Sequence, residues 1–361
     1  MKTGISIIMP CYNVAQYIER SLNSILQQDF TNYEIIIIND GSTDNLLEVC
    51  NKYLNNNKIS IYTFKNQGLS QARNEGLLLA KGEYVYFFDP DDYINSGMLS
   101  AVYNKAKEGD YDAVHFGFKT IYEDQGGIHY DTAEKPYLYK GNDIIRKEYM
   151  PKFLGTTQDD INTWIDTNYL WKERKQFSSV WRFLYKRSVL IENQVFFYKG
   201  VKLFEDKLFN ACFFCYAQSI ATMSDIFYNY YIREKGLLSS SLFNHEALVN
   251  NKINGVIQRN KVRKLYKEVH NEDIFNCYIG TIVFSALELI IRLTDLPFVK
   301  AWTLYKKYII LEDVKNGIRK IQIDKLPLKI KIPIYLLKLH CDWLLIILVK
   351  TIKIARLKIN L

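Results

Sequence analysis

The sequence lacks the signals that mark several classes of protein. Its 361 residues contain no low-complexity run. With 48% hydrophobic and 24% charged residues, the composition is that of neither a disordered chain nor a collagen. Its six cysteines are scattered, and none has the spacing to histidine of a zinc site. The longest apolar run near its end, Trp343 to Val349, is far shorter than the roughly 18 to 20 residues that cross a bilayer. These absences indicate a globular chain of one large domain or two.

An export signal is also missing. Strand-like residues, Ile5 to Met9, begin almost at the N-terminus, without the charged segment and cleavage site of a signal peptide. We therefore expect a cytoplasmic protein with reduced thiols. Cys212 and Cys215 have redox-motif spacing, but the run around them is apolar, which favours buried packing.

Two common nucleotide-binding loops are absent as well. A dinucleotide fold would place Gly-x-Gly-x-x-Gly after its first strand, and a P-loop would place Gly-x-x-x-x-Gly-Lys-Ser/Thr there. The first predicted strand leads instead into Pro10-Cys11-Tyr12-Asn13, which offers a ring and an amide. The missing glycine-rich basic loop also argues against a nucleotidyltransferase that makes an activated sugar.

Strand-like and helix-like segments alternate over the first ninety residues. The predicted strands are 5–10, 33–38, 59–64 and 84–88, and the clearest predicted helices between them are 16–28 and 69–80. This alternation predicts an α/β fold with a doubly wound, mostly parallel sheet. Ligands of such sheets bind at the carboxyl ends of the strands.

Three carboxylates follow the fourth predicted strand within four positions: Asp89, Asp91 and Asp92. Like charges this close repel one another unless a cation holds them. Mg²⁺ or Mn²⁺ suits such oxygen ligands, and Mg²⁺ typically takes one or two carboxylates together with substrate phosphates. The alternative is a solvated acidic turn in which Asp92 caps the next helix.

Other polar residues are predicted at the same edge of the sheet. Tyr12 could stack on a nucleobase, and Asp40, after the second strand, could accept from base or ribose donors. Arg73, on the helix over 69–80, would face this edge too. Taken singly, Tyr12 is better explained as a packed ring, Asp40 as a turn residue and Arg73 as a surface charge.

Four motifs in chain order resemble the family-2 glycosyltransferases of GT-A fold. They are Met9-Pro10-Cys11-Tyr12-Asn13, Asn39-Asp40-Gly41-Ser42-Thr43-Asp44, Gly68-Leu69-Ser70-Gln71-Ala72-Arg73-Asn74-Glu75-Gly76 and Phe88-Asp89-Pro90-Asp91-Asp92. The resemblance covers roughly the first third of the chain. It implies a nucleotide-sugar donor, usually a UDP-sugar.

The resemblance also assigns roles to residues of this edge. The donor-binding residues that it implies are Pro10, Tyr12, Asn13, Asp40, Arg73 and Asp89. Tyr12 and Asp40 would surround the uracil and ribose, with Arg73 near the base. Asp89 and Asp91 would bind a Mn²⁺ or Mg²⁺ ion with the diphosphate, Asp91 as the preferred direct ligand. Pro90 departs from the small residue that relatives mostly carry, and it stiffens the turn without removing a carboxylate.

An acidic pair, Glu205-Asp206, precedes a predicted helix over 207–216. Alone, the pair would be explained as helix capping by carboxylates near the N-terminal dipole. Beside the donor motifs it matches the family's base motif, which implies Asp206 as general base and Glu205 as a neighbour that contacts the acceptor. Farther on, Arg233 would reach the departing diphosphate, although relatives often carry a second arginine where Tyr231 stands.

The C-terminal third has helical periodicity from residue 244 onward and no visible chemistry. We predict a GT-A catalytic domain over 1–240, divided into a nucleotide-sugar-binding half (1–118) and an acceptor and catalytic-base half (119–240), followed by a helical region over 241–361. The net charge of +8 lies at the end, where residues 315–361 contain eleven basic and two acidic residues. Lysines interleaved with apolar residues are typical of a segment on an anionic membrane surface, and a solvated basic face is the alternative. No motif supports binding to nucleic acid.

The resemblance to this family implies a metal-dependent inverting glycosyltransferase, which would transfer a hexosyl or N-acetylhexosaminyl group to a hydroxyl of a glycan. Family analogy suggests a lipid-linked acceptor at the inner face of the cell membrane, in capsule, exopolysaccharide or O-antigen synthesis. The alternative from another class is a non-catalytic, membrane-peripheral nucleotide-sugar-binding protein. The presence of Asp40, Asp89, Asp91 and Asp206 argues against that alternative.

Overall fold

The computed structural model describes residues 3–122, 128–131, 135–158, 160, 178–201, 204–232, 244–324, 326 and 328–359. The chain divides into two compact units, Met1–Arg146 with Ser178–Gly236 and Lys147–Phe177 with Leu237–Leu361. The second unit therefore includes residues 147–160, which were predicted from the sequence to lie in the 1–240 domain. The predicted domain boundary at residue 240 stays a prediction.

The described strands lie in the first unit, and the described helices lie in both units. The strands are β1 (Ile5–Cys11), β2 (Tyr33–Asn39), β3 (Ile59–Thr63), β4 (Tyr84–Phe87), β5 (Tyr93–Ile94), β6 (Ala113–Tyr122), β7 (Ile128–Asp131), β8 (Tyr137–Lys140), β9 (Phe183–Lys186) and β10 (Ser219–Ile232). The helices are α1 (Ala15–Leu26), α2 (Leu46–Asn51), α3 (Leu69–Leu79), α4 (Met98–Glu108), α5 (Asn142–Ile144), α6 (Met150–Leu154), α7 (Arg187–Glu192), α8 (Glu205–Phe214), α9 (His245–His270), α10 (Ile279–Leu293), α11 (Phe298–Ile309), α12 (Glu312–Lys320), α13 (Leu328–Lys338) and α14 (Asp342–Ile359). A π-helical turn spans Ile145–Tyr149, and 3-10 turns span Val180–Arg182 and Phe275–Cys277.

The first unit is built on one mixed sheet. Its described strands are ordered β3-β2-β1-β4-β9-β6-β10-β5, with β7 added to β6 and β8 added to β10. The strands from β3 to β4 run parallel, and β9 enters antiparallel between β4 and β6. All seven residues of β1 are buried, as expected for a parallel strand with both faces covered. The predicted α/β fold class is confirmed, and the antiparallel β9 makes the sheet mixed.

One glycine sets the distance between α3 and the sheet. A Cβ atom added to Gly76 would lie 2.3 Å from Cγ2 of Ile8 in β1. Only a residue without a side chain lets the helix backbone approach the strand this closely. The close approach carries Arg73 and Asn74, one turn earlier on α3, toward the carboxyl edge of the sheet.

The second unit is helical in its described part. Helix α10 is its most apolar element, and it packs against α11, α12 and α14. Arg259 of α9 donates from Nε to the carbonyl of Leu154 at 2.6 Å, which fastens α9 to α6. Within the described residues, no helix is both long enough and apolar enough to cross a membrane.

Candidate active site

The carboxyl ends of three adjacent parallel strands bring most of the predicted donor residues to one edge. Strands β2, β1 and β4 lie side by side, and Tyr12, Asp40 and Asp89 each follow one of them directly or after one residue. The Tyr12 ring is half exposed and therefore accessible to a ligand. Pro10 lies inside β1 opposite Ile38, buried on the sheet.

Asn13 joins the loop after β1 to the loop after β2. Its backbone N–H donates to Ser42 Oγ at 3.1 Å, and its Oδ1 accepts from the N–H of Thr43 at 2.8 Å. Asn13 has φ +52°, in the left-handed region that asparagine tolerates better than most residues. Its role here is to hold two loops of the edge together, and its predicted contact with the donor stays a prediction.

Asp40 fixes the turn that leads into α3. Its Oδ1 accepts from the N–H of Gln67 and its Oδ2 from the N–H of Gly68, both at 2.8 Å. The side chain is only 4% exposed. One lone pair of each oxygen is thus committed to the protein backbone, and recognition of base or ribose by Asp40 stays a prediction.

The acidic turn after β4 contains one structural carboxylate. Asp92 is fully buried, and its two oxygens accept from the Tyr228 hydroxyl at 2.5 Å and from the N–H of Tyr231 at 2.7 Å. Burial, reinforced by the neighbouring carboxylates of Asp91 and Asp89, raises the pKa of Asp92 well above its usual range. Asp92 is therefore neither solvated nor a helix cap, since α4 begins after Gly97.

Helix α1 holds the backbone of this turn. Ser21 Oγ lies 2.8 Å from the carbonyl oxygen of Pro90 and 2.5 Å from that of Asp92. Arg20 donates from Nη2 to the carbonyl of Asp91 at 2.6 Å, and its guanidinium lies 4.3 Å from the ring centroid of Tyr231. These contacts were not predicted from the sequence, because Arg20 and Ser21 alternate with the apolar residues of α1 and belong to no recognisable motif.

Arg73 is the central residue of the site. It is 1% exposed, and its Nη1 donates to Oδ1 of Asp206 at 2.6 Å while its Nη2 donates to Oδ1 of Asp89 at 2.9 Å. Glu205 is 3.8 Å away. Burial alone would lower the pKa of the guanidinium, but Asp206, Asp89 and Glu205 outweigh it and raise that pKa above its usual value. Arg73 is therefore a buried cation that bridges the acidic turn and the predicted base, and it is not a surface charge.

Asp206 lies in the first turn of α8. The helix begins two residues earlier than predicted, at Glu205, and its preceding residue Phe204 has φ +64°. A bulky residue in this region of backbone space is an outlier, of the kind found where surrounding structure fixes a functional loop. Oδ2 of Asp206 accepts from the N–H of Val180 at 3.1 Å, so both carboxylate oxygens are positioned.

The two carboxyls of this helix have pKa values displaced toward neutrality. Burial raises the pKa of Asp206, with Arg73 opposing it. Burial and the neighbouring Asp206 raise the pKa of Glu205 to about 7, again against the effect of Arg73. A raised pKa suits a carboxylate that accepts a proton at neutral pH, because proton transfer is most effective when the pKa of the base is near the working pH.

The acidic turn fits a divalent cation in part. Within the described residues, no group of three or more histidine, cysteine, aspartate or glutamate side chains could hold a metal by itself. Mg²⁺ usually takes one or two carboxylates when phosphates complete its shell, and the predicted binding of a metal by Asp89 and Asp91 stays a prediction. Arg233, the predicted partner of the diphosphate, lies outside the described residues, and its role stays a prediction.

The sequence of the chain is similar to those of known proteins. The model of the family described as glycosyl transferase family 2 matches residues 6–190, just over half of the chain. The chain belongs to this family. The glycosyltransferase EpsJ of Bacillus subtilis is 31% identical over 227 residues, 63% of this chain and 60% of that protein. The cholesterol galactosyltransferase of Borreliella burgdorferi is 30% identical over 278 residues, 74% of this chain and 72% of that protein.

Solved structures agree with this assignment at the level of the fold. The TarS fragment 1–349 of S. aureus, in complex with UDP-GlcNAc, superposes with a TM-score of 0.64 at 20% identity, covering 96% of this chain and 90% of that chain. The predicted GT-A fold is thereby confirmed. The match between this chain and EpsJ spans only 60% of the length of EpsJ. The activity of the whole protein is therefore a proposal.

Asn74, next to Arg73, gives a stability prediction for the site. Its buried amide donates to the carbonyl of Phe197 and accepts from the N–H of the same residue, both at 2.8 Å. Asn74→Ala removes two hydrogen bonds and leaves two buried backbone groups without that partner, so we expect about 2 to 4 kcal/mol less free energy of unfolding in urea titrations. Gln71→Ala, on the same helix but half-buried, is the control and should cost less than about 1 kcal/mol. Equal losses for both variants would contradict the assignment.

Proposed function

We propose that this family 2 glycosyltransferase transfers a sugar, with inversion, from a UDP-sugar to a hydroxyl group of a glycan. One observation carries the proposal: the guanidinium of Arg73 bonds both to Asp89 of the acidic turn and to Asp206 of α8. The predicted diphosphate-binding residue and the predicted base are far apart in sequence, yet a single side chain joins them. Transfer requires this proximity, because the bond to the leaving diphosphate breaks as the new bond forms.

The donor would be held along the edge formed by β2, β1 and β4. The accessible ring of Tyr12 suits stacking on uracil, and the loops that Asn13 ties together would enclose the nucleoside. Asp91 and Asp89 would hold Mn²⁺ or Mg²⁺ against the diphosphate, and Arg233 would add a cation. When bound, the metal supplies Lewis-acid stabilisation of the negative charge that develops on departing UDP.

Asp206 would act as the general base. The acceptor hydroxyl oxygen forms a bond to the anomeric carbon, the bond from that carbon to the diphosphate oxygen breaks on the opposite side, and the hydroxyl proton passes to Asp206. The Val180 N–H and Arg73 orient the carboxylate, and each takes only one lone pair of one oxygen. Glu205, 17% exposed beside Asp206, would contact the acceptor.

The acceptor that we propose is a glycan, carried on a lipid at the inner face of the membrane. Relatives are named for acceptors as different as poly(ribitol phosphate) and cholesterol, so family membership alone does not choose among them. The basic C-terminal tail supports an acceptor at an anionic surface. Capsule, exopolysaccharide and O-antigen chains are the acceptors that this arrangement suits.

Metal-dependent release of UDP tests the function. We expect the purified chain to release UDP from at least one member of a panel of UDP-sugars in the presence of Mn²⁺ or Mg²⁺. Chelation should lower that rate roughly a hundredfold or more, since a metal contributes several kcal/mol to a charged transition state. Asp91→Asn should lose the response to metal, and Asp225→Asn, which changes an exposed carboxylate on β10, should retain it. UDP-sugar binding without release at any metal concentration would instead support the non-catalytic binding protein.

A further inference from the structure

Helix α13 exposes an apolar stripe to solvent. Leu328, Ile332, Tyr335 and Leu339, the last just beyond the helix, are 51% to 71% exposed. Their spacing of four, three and four residues places them on one helical face. The opposite face is occupied, because Ile334 and Leu337 are buried in the second unit.

Helix α14, which packs against α13, also exposes large apolar side chains, over a broader arc than the stripe of α13. Trp343, Ile347, Leu348 and Ile352 are 42% to 47% exposed, while Leu345 and Ile346 are buried. The eight exposed side chains on the two neighbouring helices are called here the apolar face. Monomeric proteins rarely leave so many large apolar side chains uncovered in adjacent elements, and such surfaces usually mark a binding site.

Basic residues border the apolar face. Lys338 donates from Nζ to the carbonyl of Ile321 and Lys350 to that of Leu296, both at 2.7 Å, and Lys353 lies 3.0 Å from Asp295. These ammonium groups are thus bonded within the protein and do not cover the apolar side chains of the face.

The charge decides what covers this face. Residues 315–361 contain eleven basic and two acidic residues, so two copies of the chain meeting through this segment would bring like charges together. An anionic lipid surface offers the opposite charge together with an apolar layer beneath it. Trp343 and Tyr335 have the amphipathic rings that sit at the boundary of a bilayer.

We infer that the apolar face docks on an anionic lipid bilayer, with α13 and α14 lying in the plane of its interface. This inference deepens the proposed function by naming the surface through which the enzyme would reach a lipid-linked acceptor. Docking itself involves no residue of the active site, so binding to lipid is measured without any sugar transfer.

Sedimentation of the full chain with lipid vesicles tests the inference. The chain should sediment with vesicles that contain phosphatidylglycerol and much less with vesicles of phosphatidylcholine alone, and added salt should weaken the binding. Ile332→Gln with Leu348→Gln should reduce the partition coefficient by about a hundredfold, roughly tenfold for each apolar side chain removed from the lipid. Leu54→Gln, an equally exposed change in the first unit, is the matched control and should bind as the parent does.

The fluorescence of Trp343 gives a second measurement of docking. Anionic vesicles should shift the tryptophan emission of the parent to shorter wavelength, and Trp343→Phe should remove that shift while retaining most of the binding. No sedimentation with anionic vesicles would overturn the inference. So would equal binding by the double variant and by Leu54→Gln, or a concentration-dependent dimer that the double variant abolishes without any lipid binding.

Discussion

Asp206→Asn is expected to lose about 10²- to 10⁴-fold in turnover while still binding the UDP-sugar. In the parent, Nη1 of Arg73 donates to Oδ1 of Asp206 at 2.6 Å. Asparagine has the same shape as aspartate, and its Oδ1 can still accept this hydrogen bond. The amide has no carboxylate lone pair to take the acceptor proton, so the nucleophile stays protonated as it attacks. Because the proposed donor contacts lie at the carboxyl ends of β1, β2 and β4, the loss should fall on the chemical step.

The measurement separates kcat from donor affinity. Transfer is followed as UDP release with the UDP-sugar that the parent uses, and UDP binding is measured by calorimetry on parent and variant. Glu205→Gln, which changes the adjacent carboxyl of the same helix, should reduce turnover less than Asp206→Asn does. Asp225→Asn should leave both quantities unchanged. Turnover at the parental rate in Asp206→Asn would show that another group accepts the proton.

Three strands of the parallel part, β1, β2 and β4, could be predicted because they are mostly apolar runs. Residues Ile35 to Ile38 are buried on both faces of the sheet, and a run of this kind has few alternatives in a chain that alternates with helices. The observed bounds of β1 to β4 differ from the predicted ones by a residue at one end. The antiparallel insertion of β9 could not be foreseen, because a four-residue strand pairs through backbone hydrogen bonds that leave no pattern in the sequence.

The contacts among the predicted site residues could not be predicted from the sequence, and the roles of these residues stay predictions. The resemblance marked Arg73, Asp89 and Asp206, and it placed Arg73 near the nucleobase. The structure places its guanidinium between the two carboxylates, at a sequence separation of 133 residues from Asp206. Nothing local encodes such a contact, since it depends on the approach of α3 to β1 at Gly76 and on the start of α8 at Glu205.

The acidic turn shows the same limit. Asp91 and Asp92 are adjacent in sequence, and composition cannot tell which of them is a ligand. Asp92 is buried by its bonds to Tyr228 and to the backbone of Tyr231, both on β10 and more than a hundred residues away. Only the folded sheet shows that Asp92 is the structural carboxylate, and the metal-binding roles of Asp89 and Asp91 stay predictions.

Arg73→Gln is expected to destabilise the metal-free chain by about 3 to 5 kcal/mol at neutral pH. The variant removes the cation that bonds to Asp206 and Asp89 and leaves Glu205, Asp206 and Asp89 as neighbouring acids in a mostly buried site. Arg73→Lys, which keeps the charge but cannot bond to two carboxylates with one planar fork, should lose less. Lys107→Gln breaks a largely exposed pair with Glu83 in the same unit and should cost at most about 1 kcal/mol.

The pH dependence of the loss identifies its cause. Glu205 has a folded-state pKa of about 7, against an ordinary value of 4.5. Its protonated form therefore stabilises the folded chain fully below pH 4.5, and this stabilisation is lost as the pH rises through about 7. Arg73 lowers the pKa of both Glu205 and Asp206, and its removal raises both further. The extra instability of Arg73→Gln should therefore be largest at neutral pH and above, and should shrink as the pH falls toward 4.5. Urea titrations across this range measure it, and a deficit independent of pH would mean that Arg73 stabilises the site by packing on Phe197 rather than by its charge.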